Sequence, residues 1–280
     1  MYCGGVAPQS TPSTFQQVPR SGAISTPQQI MPLEYRSNPS DFQRKEQLYL
    51  DVRRREGRVP TDEALLQLPH VKTPAALTKE WRWRKRSLER LDRYLNRQYG
   101  NQPIRLLDLG CGNGWMSNYL ASQPEREVWA TDLNEQELLQ GSRVFQKENL
   151  RFVYADVLQG TLPGQYFEVI VLAASVQYFP DLKELLTALR RLLAANGTIH
   201  FLDSHFYATK AEQQAARQRS FTYYEQAGVP EMGKFYHHHL WKEAQELGAV
   251  NLHRRPDVYL LQRLGYLAPF PWLIFDVDGL

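Results

Sequence analysis

Three acidic side chains stand at the ends of apolar runs in the middle of the chain. Asp108 follows Leu106 and Leu107, and two further runs, 127–132 and 150–156, both end in Asp. Short apolar runs favour buried parallel strands, whose carboxyl ends meet at one edge of a sheet. A carboxylate only accepts hydrogen bonds and can take both protons of a diol. The acids therefore predict a polar ligand site at this edge.

Glycines follow the first acid at every second position, at Gly110, Gly112 and Gly114, before the helical spacing of residues 115–121. A strand, a glycine loop and a helix form the order in which α/β proteins bind nucleotide-like ligands. The dinucleotide fingerprint requires a third small residue where Trp115 stands. The phosphate-binding pattern G-x-x-x-x-G-K-[ST] is absent from the sequence. The loop therefore disfavours a dehydrogenase and excludes a P-loop.

The pattern Asp108-x-Gly110-x-Gly112-x-Gly114 resembles the first motif of class I S-adenosylmethionine-dependent methyltransferases. The second and third acids and the run 166–174 with the loop 175–181 resemble the next three motifs. The resemblance covers about residues 78–280. It implies S-adenosylmethionine as cofactor and S-adenosylhomocysteine as product. It also implies that the second acid binds the ribose and the third reads adenine. The implied cofactor contacts are Asp108, Gly110, Cys111, Gly112, Asp132, Leu133, Asp156, Val157, Ala173 and Tyr178.

Each of these residues also has a plain structural interpretation. An acid after a strand commonly caps the next helix. The lone thiol of Cys111 in a glycine loop favours packing over chemistry. Three acids closing three consecutive strands favour the functional interpretation for the set.

Methyl transfer from a sulfonium mainly requires positioning, and a general base adds rate when the acceptor atom carries a proton. Histidine titrates near working pH, so we predict candidate bases among His205 and the triplet His237, His238 and His239. Surface or packing roles for these histidines stay open. Consecutive side chains diverge, and no cysteine accompanies the triplet, so the sequence predicts no metal site.

The fourth motif, residues 174–178, reads Ala-Ser-Val-Gln-Tyr. It lacks the Asn/Asp-Pro-Pro-Tyr/Phe pattern of amide or exocyclic nitrogen methylation, and it lacks the cysteine of pyrimidine carbon-5 methylation. These departures favour a small-molecule acceptor, methylated on oxygen or nitrogen. Two alternatives stay open: a nucleic-acid or protein methyltransferase that uses the basic helix 82–97, and a non-catalytic S-adenosylmethionine-binding protein.

Strand and helix patterns alternate from residue 104 to 203, which predicts an α/β parallel sheet. Helices are expected at 115–121, 134–147 and 181–195, and Asn196-Gly197 is typical of a helix end. Two more strands are expected at 249–254 and 272–277. With the resemblance, the prediction is a Rossmann-like, seven-stranded sheet with helices on both faces and an antiparallel last strand.

The N-terminal part differs in composition. Residues 1–35 are rich in Pro, Ser, Thr and Gln and predict a disordered tail. Residues 36–77 predict a helical extension with helices at 41–58 and 61–68. The resemblance implies that residues 78–280 form the methyltransferase domain, in which an insertion at about 204–248 builds the acceptor pocket.

The helix 78–96 carries an apolar stripe and seven basic residues. Its basic side is either a solvated face or a site where Arg84 or Trp81 reaches the carboxylate of the cofactor or an acidic substrate.

Composition limits the remaining options. The 280 residues carry a formal charge of +3, which is too small to favour nucleic acid as a partner. No apolar run is long enough for a membrane span, so no membrane partner is expected. Cys3 and Cys111 are the two cysteines, and the N-terminus lacks the pattern of a secretory signal, so we expect a cytoplasmic protein.

Overall fold

The structure is a computed structural model that describes residues 32–70, 75–253 and 256–276. Most of the tail predicted for residues 1–35 lies outside the described residues. The described part of that segment includes Glu34–Tyr35, which pairs in parallel with Val153 and Tyr154. The last two residues of the predicted tail therefore belong to the sheet.

The sheet is built from a parallel set of strands completed by one reversed strand. Its order is β1-β4-β3-β2-β5-β6-β10-β9, and β10 runs antiparallel to both β6 and β9. The Rossmann-like fold with an antiparallel last strand is confirmed. The expected count of seven strands is wrong, because β1 adds an eighth at the edge beside β4. The strands are β1 (Glu34–Tyr35), β2 (Ile104–Leu109), β3 (Arg126–Asp132), β4 (Leu150–Tyr154), β5 (Phe167–Ala173), β6 (Leu193–Leu202), β7 (Phe206–Tyr207), β8 (His239–Leu240), β9 (Val250–Asn251) and β10 (Leu273–Asp276). The short strands β7 and β8 pair with each other, outside this sheet.

The helices predicted above agree with the observed ones to within a few residues. Asn134 caps α5 through a hydrogen bond from Glu137 N, and Thr61 caps α2 in the same way. The helices are α1 (Gln43–Arg55), α2 (Asp62–Leu66), α3 (Ala75–Tyr99), α4 (Trp115–Leu120), α5 (Glu135–Val144), α6 (Leu182–Leu192), α7 (Lys210–Gln226), α8 (Trp241–Glu246) and α9 (Pro256–Arg263). Among the described residues, none of these helices combines the length and the apolar character needed to cross a bilayer.

Helices cover both faces of the sheet. In β2, Leu106 packs toward α3, α4 and α5, and the next residue, Leu107, packs toward α6. Successive side chains of a strand point to opposite faces, so strands buried on both sides need the continuous apolar runs that the sequence shows. The carboxyl ends of these strands are left as the open edge.

The pair Asn196-Gly197 lies inside a strand, which corrects the expected helix end. α6 stops at Leu192, and β6 begins at once with Leu193. The register to β5 then slips between Phe167 and Val169, so the extra residues form a bulge. Asn196 takes the left-handed conformation there, with φ of +62°. Asn-Gly correctly indicated a left-handed backbone position, but this position belongs to a bulge in β6.

The N-terminal extension and the insertion together form a roof over the carboxyl edge of the sheet. Leu48 and Val52 of α1 pack against Tyr224 of α7 and Met232 of the turn Pro230–Phe235. This small core is separate from the two that line the sheet. The site described next lies between this roof and the strand ends.

Candidate active site

The glycine loop after β2 is held tightly from below. Gly110 N and Cys111 N donate to Thr131 O at 2.8 and 3.2 Å. Gly110 has φ of +76°, and a Cβ there would lie 2.4 Å from the Cβ of Ser175. The loop therefore requires glycine because of its backbone conformation and its contact with the loop after β5. The Cys111 thiol is buried, and burial raises its pKa well above the usual value, which agrees with a packing role.

Asp132 links the ends of β2 and β3. Its Oδ2 accepts from Gly112 N at 2.7 Å, and its Oδ1 accepts from Leu133 N and Asn134 N at 2.7 and 2.9 Å. Burial raises the pKa of Asp132, while these three amide hydrogen bonds oppose that rise. A carboxylate offers about four acceptor positions, so one remains for a ligand.

Asp156 lies at the end of β4 and caps the turn Val157–Gln159, with Oδ1 accepting from Leu158 N at 3.0 Å. Its own N–H donates to Ser37 Oγ at 2.9 Å. The hydroxyl of Ser37 donates in turn to Gln159 Oε1 at 2.8 Å. The segment that follows β1 therefore fixes the loop in which adenine contacts were predicted.

Asp108 lies behind the glycine loop. Ser117 Oγ donates to its Oδ2 at 2.6 Å, and burial raises its pKa to about 7. The carboxylate lines a separate pocket of about 30 Å³, which it shares with Gly110 and Arg84. Its predicted role in cofactor contact stays a prediction, because it reaches the ligand side only through this small pocket.

A cavity of about 1010 Å³ opens along the carboxyl edge of the sheet under the roof. It brings together nine of the ten predicted cofactor contacts, all except Asp108. One side of the cavity, which we call the cofactor half, is lined by Gly110, Cys111, Gly112, Asp132, Leu133, Asp156, Val157 and Ala173. The other side, the tyrosine-walled half, is lined by Tyr49, Val52, Tyr178, Tyr224, Met232 and Tyr236.

Helix α1 and helix α5 add charged residues to the cavity that the motifs did not indicate. The pKa of Lys45 on α1 is lowered, because the effect of burial exceeds the opposing effect of the charges of Asp132 and Asp156. Glu137 on α5 is buried, and burial raises its pKa to about 7. The spacing of Lys45, Tyr49 and Arg53 does mark one face of α1. Only the tertiary fold shows that this face covers the cleft.

The sequence offered four candidate bases, His205, His237, His238 and His239. None of them lines this cavity. His238 is buried, and its Nε2 lies 3.0 Å from the Oγ of Ser220, which does line the cavity. His239 Nε2 lies 3.3 Å from Val176 O, and His205 is exposed. Burial lowers the pKa of His238 to about 4, so its ring is neutral at pH 7. A histidine base stays a prediction, and the hydrogen bond through Ser220 is the contact that would support it.

Arg84 and Trp81 both line the large cavity. Arg84 pairs with Glu80 at 2.7 Å, and the ring of Trp81 packs edge-on against Trp115 at 5.3 Å. Asp203, just after β6, lines both pockets and accepts from Ser87 Oγ at 2.6 Å. Asp203 follows an apolar strand, as the three motif acids do. The same pattern in the sequence could therefore have identified it as a cavity residue.

Among the described residues, no group of three or more His, Cys, Asp or Glu is placed to hold a metal ion.

A family model described as "Methyltransferase domain" matches residues 106–197, from β2 through the bulge of β6. The matched region contains the glycine loop, Asp132, Asp156 and the loop after β5. Residues 106–197 therefore match a methyltransferase domain, and the motifs within them resemble those of class I S-adenosylmethionine-dependent methyltransferases.

Several curated proteins that are similar to part of this chain are named as methyltransferases. A malonyl-[acyl-carrier protein] O-methyltransferase of Halalkalibacterium halodurans is 29% identical over 127 residues, which are 42% of this chain and 47% of that protein. A sterol 24-C-methyltransferase of Gibberella zeae is 25% identical over 117 residues, or 40% of this chain and 31% of that protein. The chain spans less than half the length of these relatives.

Solved structures of methyltransferases also match part of the chain. A geranyl diphosphate C-methyltransferase from Streptomyces coelicolor has a TM-score of 0.48 and 14% identity, covering 69% of this chain and 76% of that one. An S-adenosylmethionine-dependent methyltransferase from Mesorhizobium loti has a TM-score of 0.34 and 24% identity, covering 36% and 46%.

The residues of the cavity fit S-adenosylmethionine, the cofactor that the matched family implies. The spare acceptor position of Asp132 suits a ribose hydroxyl, and Asp156 stands beside the apolar side chains of Leu133 and Val157, which suit a base. Protein-lined pockets for one drug-sized ligand measure about 300–1,000 Å³. The cavity, at about 1010 Å³, lies at the upper end of this range.

Proposed function

We propose that this protein transfers a methyl group from S-adenosylmethionine to the oxygen or nitrogen of a small-molecule acceptor. The observation that carries the proposal is the single cavity in which the cofactor half meets the tyrosine-walled half. Donor and acceptor would then lie side by side at the carboxyl edge of β2 and β5. That edge is where the strand order reverses and open α/β sheets bind ligands.

The residues of the chain act mainly by positioning. When bound, S-adenosylmethionine supplies an electrophilic methyl group and a neutral leaving group. The glycine loop and Asp132 fix the nucleoside, and α1 with α7 closes the space above it. Holding two reactants in line at close distance can lower a barrier by about 7–11 kcal/mol. Tyr178 lies at the junction of the two halves, and its carbonyl contacts Lys45 Nζ at 3.5 Å.

A small acceptor is supported over nucleic acid by the pairing on α3. Its basic residues have acids at helical spacing, as in Arg84 with Glu80 and Lys85 with Glu89. Asp92 on the same helix pairs with Arg126 at 2.7 Å. Such pairing reduces the positive field that phosphate binding needs. Steep salt dependence of RNA binding would favour the alternative. The two cysteines of the chain support a cytoplasmic setting.

Calorimetry with S-adenosylmethionine, S-adenosylhomocysteine and NAD tests the cofactor. We expect the first two to bind and NAD to give no heat of binding, because Trp115 occupies the third position of the dinucleotide pattern. Incorporation of labelled methyl groups into a metabolite extract then tests turnover. Cofactor binding without incorporation into any acceptor would contradict catalysis and favour the non-catalytic alternative.

A further inference from the structure

Arg53 stands in the cavity without an ionic partner. It lies on α1, and its guanidinium is 5.7 Å from the ring centroid of Tyr49. Its Nε is buried and has no hydrogen-bond partner. Among the described residues, no acid comes within ion-pair distance of it. A buried cation is costly unless a ligand or a side chain satisfies it. The guanidinium is therefore a donor that awaits an acceptor.

Four tyrosine rings surround this part of the cavity. Tyr178 packs edge-on against Tyr49 and Tyr236, with centroids 5.8 and 5.9 Å apart. Tyr224 continues the wall, 6.0 Å from Tyr236. Within the described part of the chain, none of these four hydroxyls bonds to another protein group. Burial raises the pKa of each hydroxyl, so all four keep their protons and can donate.

The acids near this half are occupied or lie elsewhere. Glu56 pairs with Arg58 at 3.1 Å and accepts a hydrogen bond from Tyr223. Glu137 lies in the cofactor half, because its Oε2 lies 3.1 Å from where a Cβ on Gly112 would stand. Against the lowering effect of burial, its charge raises the pKa of Arg53 through space without forming an ion pair. A second cation, Arg219 on α7, also lines the cavity. The tyrosine-walled half therefore offers several donors and a positive charge.

We infer that the tyrosine-walled half binds an acceptor molecule that carries a carboxylate beside an apolar body, and that Arg53 binds this carboxylate. The inference rests on the proposed function only in calling the ligand a methyl acceptor. A guanidinium presents a fork that matches a carboxylate, and the tyrosine hydroxyls can donate to its remaining lone pairs. The rings, Val52 and Met232 would bury the apolar body.

Binding of three matched probes tests the inference without any turnover: benzoate, benzamide and benzylammonium. Each is titrated into protein saturated with S-adenosylhomocysteine and followed by ligand-observed NMR. Benzoate is expected to bind at least about tenfold more tightly than the neutral and cationic probes, as a charge-assisted contact would require. Arg53→Gln should remove this preference, and Arg53→Lys should retain part of it because the charge remains without the fork.

Arg54→Gln is the matched control. Arg54 is the next residue of α1, is exposed, and pairs with Asp51 at 3.2 Å outside the cavity. It should leave benzoate binding unchanged. Unchanged affinity for S-adenosylhomocysteine in all three variants shows that they fold. Equal binding of the three probes, absence of benzoate binding, or a benzoate preference that survives Arg53→Gln would overturn the inference. If the wild-type protein did not bind S-adenosylhomocysteine, the proposed function would be overturned instead.

Discussion

Asp132 combines a structural and a ligand-facing task in one carboxylate. Three of its acceptor positions hold the amides of Gly112, Leu133 and Asn134. The remaining position faces the cavity. Asp132→Asn should weaken binding of S-adenosylhomocysteine by about 1–3 kcal/mol, because a charged acceptor is lost and an NH₂ group meets the amide of Gly112. Calorimetry measures this change.

The ribose role of Asp132 has a sharper check. Adenosine should bind the wild-type protein more tightly than 2′,3′-dideoxyadenosine, and the difference should vanish in Asp132→Asn. Asp181→Asn, at the exposed cap of α6, serves as control. A hydroxyl preference that persists in the Asp132 variant would remove this residue from ribose binding.

Asp108 predicts a pH dependence of stability. Burial raises its pKa in the folded state to about 7, against 3.8 in the unfolded chain. The folded state therefore holds this proton more tightly, and the stability it gives at low pH is lost as the pH rises toward 7. Asp108→Asn keeps an acceptor for Ser117 without the charge.

The stability difference between Asp108→Asn and wild type should shift in favour of the variant by about 2–3 kcal/mol from pH 5 to pH 8. Denaturant unfolding at both pH values measures it. A difference independent of pH would show that Asp108 has the same pKa in the folded and unfolded states.

At the scale of elements, α5 is fitted against the glycine loop at Gly141. A Cβ on this residue would lie 2.4 Å from Asn113 O and 2.5 Å from the ring of Phe152. Helix propensity alone would favour alanine there by about 1 kcal/mol. We expect Gly141→Ala to lower the free energy of unfolding by about 1–3 kcal/mol, because overpacking outweighs that preference.

Gly233→Ala is the control for this packing, since a Cβ there would meet its nearest atom at 3.8 Å. Its effect should stay within about 0.5 kcal/mol. Thermal or denaturant unfolding compares the two variants. Stabilisation by Gly141→Ala would mean that α5 can move away from the loop at little cost.

The elements also show what the sequence could predict. Apolar runs closed by acids predicted β2, β3 and β4, because burial on both faces leaves a continuous apolar signature. Glu34–Tyr35 gave no such signal, since two residues are too few to show a period. The position of α1 over the cleft depends on contacts between Leu48 or Val52 and α7, far along the chain. Sequence spacing cannot show such contacts, so Lys45 and Arg53 were missed.

The histidine triplet illustrates the same limit. β8 begins at His239, and the direction of each ring follows from that short strand and the turn before it. The sequence showed that the three rings diverge. It did not show that His238 would meet Ser220, because that contact joins the residue before β8 to α7.

At the scale of the whole molecule, the roof must respond to the ligand beneath it. α1 contacts the rest of the protein through side chains such as Arg44, which pairs with Glu231 at 2.7 Å, and Glu46, which accepts from Gln136 N at 3.1 Å. Saturation with S-adenosylhomocysteine should slow hydrogen exchange of α1 by about tenfold or more, because opening the roof then requires ligand release. Residues 91–99 of α3, packed on the sheet, should change less. Equal protection of both segments would show that α1 does not act as a cover.

The two borders of the large sheet are both formed by strands of two residues, β1 and β9. A long unpaired border exposes N–H and C=O groups onto which another polypeptide can add. Here each edge strand offers only a few unpaired N–H and C=O groups, so the sheet gives little opportunity for fibril-like stacking. Any self-assembly of the part of the chain seen in the structure is then expected to use helix surfaces, and concentrated solutions should resist amyloid formation.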